Sequence, residues 1–223
     1  LIKVGSINIF MLIVLAALGL AVIVGVIAVQ EAERRVPVQY AKRIVGRKVY
    51  GGQSTHIPIK LNSAGVIPVI FSTSILMFPS TLAGFFPNNK FMTSVAEFLQ
   101  PSGWLYAVLY ALFIVFFTYF YTAITFNPVE VAGNMKKYGG FIPGIRPGRP
   151  TAEYISRIMN RITLVGALFL AAIALLPYFM TAVSGINISF GGTALLIVVG
   201  VALETMKAIE AQMLMRHYQG FLK

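Results

Sequence analysis

Long apolar segments recur along this chain and are separated by more polar connections. Residues 9–29, 64–86, 104–126 and 162–183 carry no charged side chain, and each stretch is 21 to 23 residues long. Because about 20 apolar residues cross a bilayer as a helix, each stretch predicts a membrane-spanning helix. A fifth stretch, 191–212, starts apolar and is then interrupted by charged residues. It predicts a helix that begins inside the membrane and projects beyond it.

The composition agrees with this pattern. Of the 223 residues, 57% are hydrophobic and 11% are charged, and the mean hydropathy is +0.80. Soluble domains carry about 25% charged residues. The sequence therefore predicts an all-α integral membrane protein with five transmembrane helices. Its formal net charge is nevertheless +11, so the few charges are strongly biased toward Lys and Arg.

The positive charges concentrate in two of the four connections between the apolar segments. The connection 30–63 holds seven Lys and Arg residues and the connection 127–161 holds six, whereas the other two connections hold only Lys90. Basic connections face the cytoplasm, so we expect the C-terminus inside and the N-terminus of this chain outside. Five spans with an exported start lead us to expect that an N-terminal part of the protein lies outside this chain.

The connection 30–63 predicts a β-hairpin. Apolar residues alternate with others in both arms: Val36, Val38, Tyr40, Ile57, Ile59 and Leu61. A period of two is typical of strands, and glycines between the arms supply turns. Pro37 and Pro58 cannot donate to a central ladder, so we expect both strands at sheet edges. A lone hairpin is marginally stable in water, so we expect it to protrude and to settle only against a partner.

The sequence GGFIPGIRPGRPTAEYI at residues 139–155, which we call the hook, predicts a stiff basic loop. Its three prolines fix their φ angles and its four glycines permit tight reversals, so its backbone has a defined shape. It presents Arg146 and Arg149, whose planar guanidinium groups suit carboxylate or phosphate. Two interpretations stay open: the hook docks a partner, or its arginines only orient the protein in the membrane.

The second apolar segment differs from the others in its prolines and hydroxyls. Pro68 and Pro79 each remove a backbone donor and are expected to kink the helix. Three consecutive hydroxyl residues, 72–74, lie near its middle, where such groups bond to neighbouring helices or to their own backbone. Each feature alone is typical of tolerated irregularity in a bundle. Together they indicate a helix that moves.

The sequence lacks the patterns that catalysis or metal binding requires. It has no cysteine, and His56 and His217 are far apart without a carboxylate cluster, so we expect no catalytic residue, metal or cofactor. Near the last span, Glu204 and Lys207 stand at i, i+3, which predicts a solvated pair. The first four spans hold no charged side chain for ion coupling at the midplane. Half of a secondary solute transporter stays an alternative, because a missing half could supply that site.

Three stretches resemble the SecY family, whose members form the pore of the protein-conducting channel. They read VYGGQSTHIPIKLNSAGVIPVIF from residue 49, FNPVEVAGNMKKYGGFIPGIRPG from residue 126 and FGGTALLIVVGV from residue 190. The resemblance runs in order from the first span past the last one, and it corresponds to the C-terminal half, transmembrane helices six to ten. It implies half of a ten-helix channel with pseudo-twofold symmetry and a protruding cytoplasmic hairpin-like loop.

The resemblance also implies roles for single residues. Ile70 and Ile197 match positions in the aliphatic ring that narrows the pore, and such a ring would dewet when closed and so block ions. Four residues fall on the lateral gate, through which signal sequences leave: Phe71, Ser72, Thr73 and Ser74. Five basic residues match the loops that dock the motor ATPase SecA and the ribosome: Lys42, Arg43, Arg47, Lys48 and Arg146. Arg149 departs from the most familiar bacterial versions of the family, which carry an acidic residue at that position.

The resemblance implies a subunit that is not an enzyme and whose partners spend ATP or GTP. Those partners would be SecE, SecG, SecA, the ribosome and nascent chains that carry signal peptides. The N-terminal half of the same subunit and membrane lipids would complete the surroundings. The implied location is the bacterial inner membrane.

Overall fold

The computed structural model describes residues 9–40, 43–45, 48–50, 54–86, 89–99, 103–184 and 192–219. Three of its helical stretches are long and apolar enough to cross a membrane: Ile67–Phe85, Trp104–Lys137 and Arg149–Phe179. A shorter apolar stretch, Gly19–Glu31, belongs to the first helix. A mostly helical protein with apolar spans and a small sheet is therefore confirmed. That all five segments cross the membrane stays a prediction.

Every predicted span corresponds to a helix. The long helices are α1 (Ile9–Glu31), α2 (Ile67–Phe85), α4 (Trp104–Thr125), α6 (Arg149–Ser184) and α7 (Gly192–Gln219). Two short helices are α3 (Lys90–Phe98) and α5 (Pro128–Lys137). The strands are β1 (Glu33–Tyr40), β2 (Arg43–Val45), β3 (Lys48–Tyr50), β4 (Ser54–Lys60) and β5 (Gly140–Phe141).

The long helices pack around one apolar core, and α4 illustrates how. Its buried residues recur every fourth position and so form one stripe along the helix: Tyr106, Tyr110, Ile114, Thr118 and Thr122. Large exposed residues form the opposite stripe: Trp104, Val108, Leu112, Phe116, Phe120 and Ile124. The buried stripe faces α2 and α6. Helices α1 and α7 contribute Val26 and Leu196 to the same core.

The hairpin is present, and the structure adds a third strand to it. β1 pairs with β4 in antiparallel register along both strands, and β5 pairs with the other edge of β1 at Gln39 and Tyr40. β1 is therefore a central strand, and the expectation of two edge strands is wrong for it. Pro37 is compatible with this position because the short β5 ladder does not reach it. β2 and β3 pair with each other beyond this sheet.

The sheet does not protrude alone. Its apolar side chains pack against α5, the hook and the start of α6 in a second core: Val36, Val38, Ile59, Met135, Ile142, Ile155 and Met159. The hairpin therefore has a partner within the same chain, because the other basic connection covers it. We call β1, β4, β5, α5, the hook and α6 up to residue 161 the hairpin–hook module.

The connection 127–161 is largely helical. The Asn127 side chain caps α5 by accepting hydrogen bonds from the backbone N–H groups of Val129 (3.1 Å) and Glu130 (3.4 Å). α6 begins at Arg149, well before the predicted start of its span at residue 162. Pro150 suits a first helical turn. The early part of α6 therefore belongs to the hairpin–hook module and continues without a break into the predicted spanning part of the same helix.

Candidate functional site

Helix α2 carries most of the predicted site residues, and its two faces differ. One face is buried: Pro68, Val69, Ser72, Leu76 and Ala83. The other face is exposed and consists of large apolar side chains: Ile70, Phe71, Ile75, Met77, Phe78 and Phe85. A contiguous apolar surface of this kind indicates contact with lipid or with another protein segment.

The two prolines of α2 have different consequences. Pro68 lies in the first turn of the helix, where its missing N–H would have no intrahelical partner in any case, so the expected kink at Pro68 is wrong. Pro79 lies inside the helix and removes the donor that would bond to the carbonyl of Ile75. A kink at Pro79 stays a prediction.

The three consecutive hydroxyls of α2 all bond to its own backbone. Ser72 donates to the carbonyl of Pro68 (2.7 Å), Thr73 to that of Val69 (2.8 Å) and Ser74 to that of Ile70 (2.9 Å). They do not share one surface, because Ser72 is fully buried whereas Ser74 is exposed. The residues assigned to the lateral gate are therefore divided between two faces of the helix.

Both isoleucines assigned to the pore ring are uncovered. Ile70 is 44% exposed on α2, and Ile197 is 36% exposed on α7. Their neighbours Val69 and Leu196 are buried in the core. Ile70 and Ile197 are therefore available to line a passage or to meet another segment, unlike the residues beside them.

The hook has a defined backbone. Gly139, Gly144 and Gly148 have φ angles of +70°, +81° and +108°, in the left-handed region that favours glycine. The N–H of Ile145 bonds to the carbonyl of Ile142 at 3.0 Å and closes a turn. Three glycine-dependent reversals and a local hydrogen bond therefore give the hook its shape, and its stiffness stays a prediction.

The Arg146 residue is exposed, and only its backbone takes part in the structure of the hook. Its carbonyl accepts a hydrogen bond from the Thr151 hydroxyl at 2.9 Å, which ties the hook to the first turn of α6, while the residue itself is exposed. Arg149 lies 3.1 Å from Glu153 in an exposed ion pair, which contributes little stability. The two arginines of the hook therefore differ, because only Arg149 is paired in the described part of the chain.

The hairpin tip is only partly described. Lys42 and Arg47 lie outside the described residues. Arg43 and Lys48 begin β2 and β3, and pair with Tyr50 and Val45 across the two-stranded ladder. Their side chains lie outside the described part of the structure.

The predicted Glu204–Lys207 pair is wrong. The Lys207 Nζ atom lies 2.7 Å from the Glu31 Oε1 atom at the end of α1, and both side chains are partly exposed. This ion pair links α1 to α7 beside a pocket of about 350 Å³, which is also lined by Lys60, Asn62 and Glu204. Spacing within one helix could not reveal it, since the partner lies on a different helix.

An apolar helical bundle joined to a small, basic module defines a multi-span membrane protein. The SecY family model matches residues 1–206. Protein translocase subunit SecY of Thermotoga maritima is 48% identical over 98% of this chain and 50% of its own length. The SecY subunits of Halalkalibacterium halodurans (54% over 97% and 51%) and Streptomyces galbus (55% over 93% and 48%) are similar to it as well. The chain belongs to the SecY family, and it spans about half the length of these relatives.

Two solved structures share the fold. One is described as a protein conducting channel; it has a TM-score of 0.53, is 17% identical, and the match covers 86% of this chain and 47% of that one. In the other, the plug domain of SecY stabilises the closed state of the translocation channel; its TM-score is 0.55 at 17% identity over 91% and 50%. At this identity the likeness concerns the fold alone.

Sequence reasoning missed a buried polar contact between helices. The Tyr110 hydroxyl of α4 lies 3.2 Å from Thr73 Oγ1 of α2, and the Tyr178 hydroxyl of α6 lies 3.3 Å from that of Tyr106 on α4. Three tyrosines within otherwise apolar spans were the available signal, because a buried phenol hydroxyl normally finds a partner. The identity of that partner required the packing of the helices.

Proposed function

We propose that this chain forms the C-terminal half, transmembrane helices six to ten, of a channel subunit that conducts polypeptides across or into a bacterial inner membrane. The observation that carries the proposal is identity of 48–55% with subunits named protein translocase over nearly the whole chain. The fold shared with a protein conducting channel supports it. SecE, SecG and the N-terminal half of the subunit would complete the assembly.

In this proposal α2 is one helix of the lateral gate, and Ile70 and Ile197 belong to the pore ring. The exposed apolar face of α2 supports this role, because apolar side chains there could contact a signal sequence or the N-terminal half of the subunit. Phe71 and Ser74 lie on the exposed side and would meet the passing segment. The buried Ser72 would instead act inside the helix, and Thr73 at the contact with α4.

The hook docks the partner that drives transport, SecA or the ribosome. Arg146 supports this role because it is exposed on a loop that reverses at three glycines with positive φ, and its carbonyl accepts a hydrogen bond from Thr151. A flexible basic loop would serve topology equally well, whereas a docking residue benefits from a fixed position. Lys42, Arg43, Arg47 and Lys48 at the hairpin tip would extend the same cytoplasmic surface.

The test is Arg146→Glu in the full-length subunit, reconstituted with SecE and SecG in lipid vesicles. We expect loss of SecA-dependent preprotein import with normal membrane insertion of the subunit, because a carboxylate cannot replace the guanidinium at an acidic surface. Lys137→Glu is the matched control: it changes the charge equally on an exposed side chain of the same module, and import should persist.

Import that is unchanged by Arg146→Glu, or lost equally in both variants, would contradict the assignment of Arg146. Vesicles of the parent protein that take up a small solute under an ion gradient, and no preprotein, would overturn the proposed function itself.

A further inference from the structure

Four side chains with hydroxyl groups lie in the apolar core where α2, α4 and α6 meet. They are Thr73 on α2, Tyr106 and Tyr110 on α4, and Tyr178 on α6. Tyr110 is only 1% exposed and lies among the residues of the main core. The ring of Tyr178 contacts the rings of both other tyrosines, with centroids 5.5 and 6.2 Å apart. Two hydrogen-bonded pairs are thus joined by ring packing.

The direction of the bond between α2 and α4 follows from the hydroxyl hydrogens. Thr73 donates its single hydroxyl hydrogen to the carbonyl of Val69 at 2.8 Å, so its oxygen can only accept from Tyr110. The Tyr110 hydroxyl therefore donates to Thr73 Oγ1 across 3.2 Å. Thr73 would stay satisfied without Tyr110, whereas Tyr110 has no other hydrogen-bond partner among the described residues.

This bond is special to α2. The remaining hydroxyls of the helix, on Ser72, Ser74, Ser80 and Thr81, all bond to carbonyls of α2 itself. Within the described part of the chain, Tyr110–Thr73 is thus the one side-chain hydrogen bond that joins α2 to another helix. Apolar contacts also join α2 to α4, such as the stacked rings of Phe71 and Phe117, whose centroids lie 5.7 Å apart.

Apolar contacts and a hydrogen bond respond differently to movement. Dispersion contacts are individually weak and need no particular partner atom, so a helix that shifts can make new ones elsewhere. A hydrogen bond is directional and is lost when its atoms separate beyond about 3.5 Å, and the buried hydroxyl is then left unpaired in an apolar environment. One such bond in an apolar interface therefore stabilises one position of α2 relative to the others.

From this geometry we infer that Tyr110 is a positioning residue that holds α2 in the position seen here through its hydroxyl, and that loss of this bond releases α2 toward other positions. That Tyr110 restrains a gate rests on the proposed function, because α2 is a gate helix only in that proposal. The mechanical part of the inference does not depend on it.

The test uses the full-length subunit in its complex, in lipid nanodiscs, with spin labels on Ser80→Cys of α2 and Val165→Cys of α6. Both positions are exposed, and this chain has no cysteine of its own. In Tyr110→Phe and in Thr73→Val we expect more molecules with a displaced spin-label distance. Their population relative to molecules with the parental distance should rise about threefold, the effect of one interhelical hydrogen bond in a membrane. Thr73→Ser keeps the acceptor and should restore the parental distances.

Tyr178→Phe is the matched control, because it removes a partly buried tyrosine hydroxyl bond between α4 and α6 that does not involve α2. Parental distances in Tyr178→Phe, with displaced ones in Tyr110→Phe, support the inference. Unchanged distances in both Tyr110→Phe and Thr73→Val would overturn it, as would an equal shift in Tyr178→Phe, which would signify general loosening of the core. Shifted distances in a complex whose parent imports no preprotein would leave the positioning role standing while the proposed function fails.

Discussion

At the scale of single residues, burial separates neighbours that the sequence cannot tell apart. Val69 and Ile70 are both aliphatic and adjacent, yet Val69 is in the core and Ile70 is uncovered. From apolar composition alone, both residues are predicted to be buried, because no local pattern indicates which face of the helix another helix will cover. The assignment of Ile70 to a pore ring came from the resemblance, and its exposure is compatible with that role.

The proposed ring position of Ile70 predicts that Ile70→Asn raises ion leak through the resting channel. An amide in a ring of aliphatic side chains stabilises water in the constriction, so the closed state no longer dewets. Conductance across planar bilayers, with the full-length complex at rest, measures this effect. Ile75→Asn is the matched control, since Ile75 lies on the same helix and is 42% exposed against 44% for Ile70. Equal conductance in the two variants would refute a ring position for Ile70.

At the scale of elements, the sequence predicts the helices and the two hairpin arms, but not the contacts between distant segments. The five apolar runs predict five helices because a spanning helix depends on the composition of its own segment of about 20 residues. The two-residue strand β5 has no periodicity to detect, and its pairing joins residues about a hundred positions apart. The same limit hid the Glu31–Lys207 pair and the packing of the hairpin onto α5. The effect of Pro68 depends on where the helix begins, and α2 begins one residue before it.

One close contact between elements leads to a stability prediction. A Cβ added to Gly166 of α6 would lie 2.5 Å from the carbonyl oxygen of Leu61, in the connection between β4 and α2. That oxygen belongs to the backbone and cannot rotate away, so Gly166→Ala must separate α6 from this connection. We expect the free energy of unfolding to fall by about 1–3 kcal/mol, the range typical of overpacking.

Thermal unfolding of the complex in detergent measures this change. Gly133→Ala on α5 is the control, because its Cβ would meet no atom within 4 Å, and alanine in an open helical position stabilises by up to about 1 kcal/mol. Parental stability in Gly166→Ala would show that the connection yields at this point, contrary to the packing described above.

At the scale of the whole molecule, charge and apolar surface are segregated. The exposed Lys and Arg residues of the hairpin–hook module lie at the ends of α1 and α4 and at the starts of α2 and α6, whereas α3 joins the opposite ends of α2 and α4. Since basic connections stay in the cytoplasm, this arrangement predicts the module inside and α3 outside. This orientation follows from charge counts and not from packing, and it stays a prediction.

Single-cysteine labelling tests that orientation. Ser94→Cys places a thiol on the exposed surface of α3, and Ser63→Cys places one just before α2, where the native hydroxyl is exposed and donates only to the nearby carbonyl of Lys60. A membrane-impermeant maleimide added to intact cells should label Ser94→Cys and spare Ser63→Cys, and both should react after the membrane is dissolved. Labelling of Ser63→Cys from outside would place the hook away from the cytoplasm. Neither SecA nor a ribosome could then reach Arg146, so this one measurement bears on the docking proposal as directly as on topology.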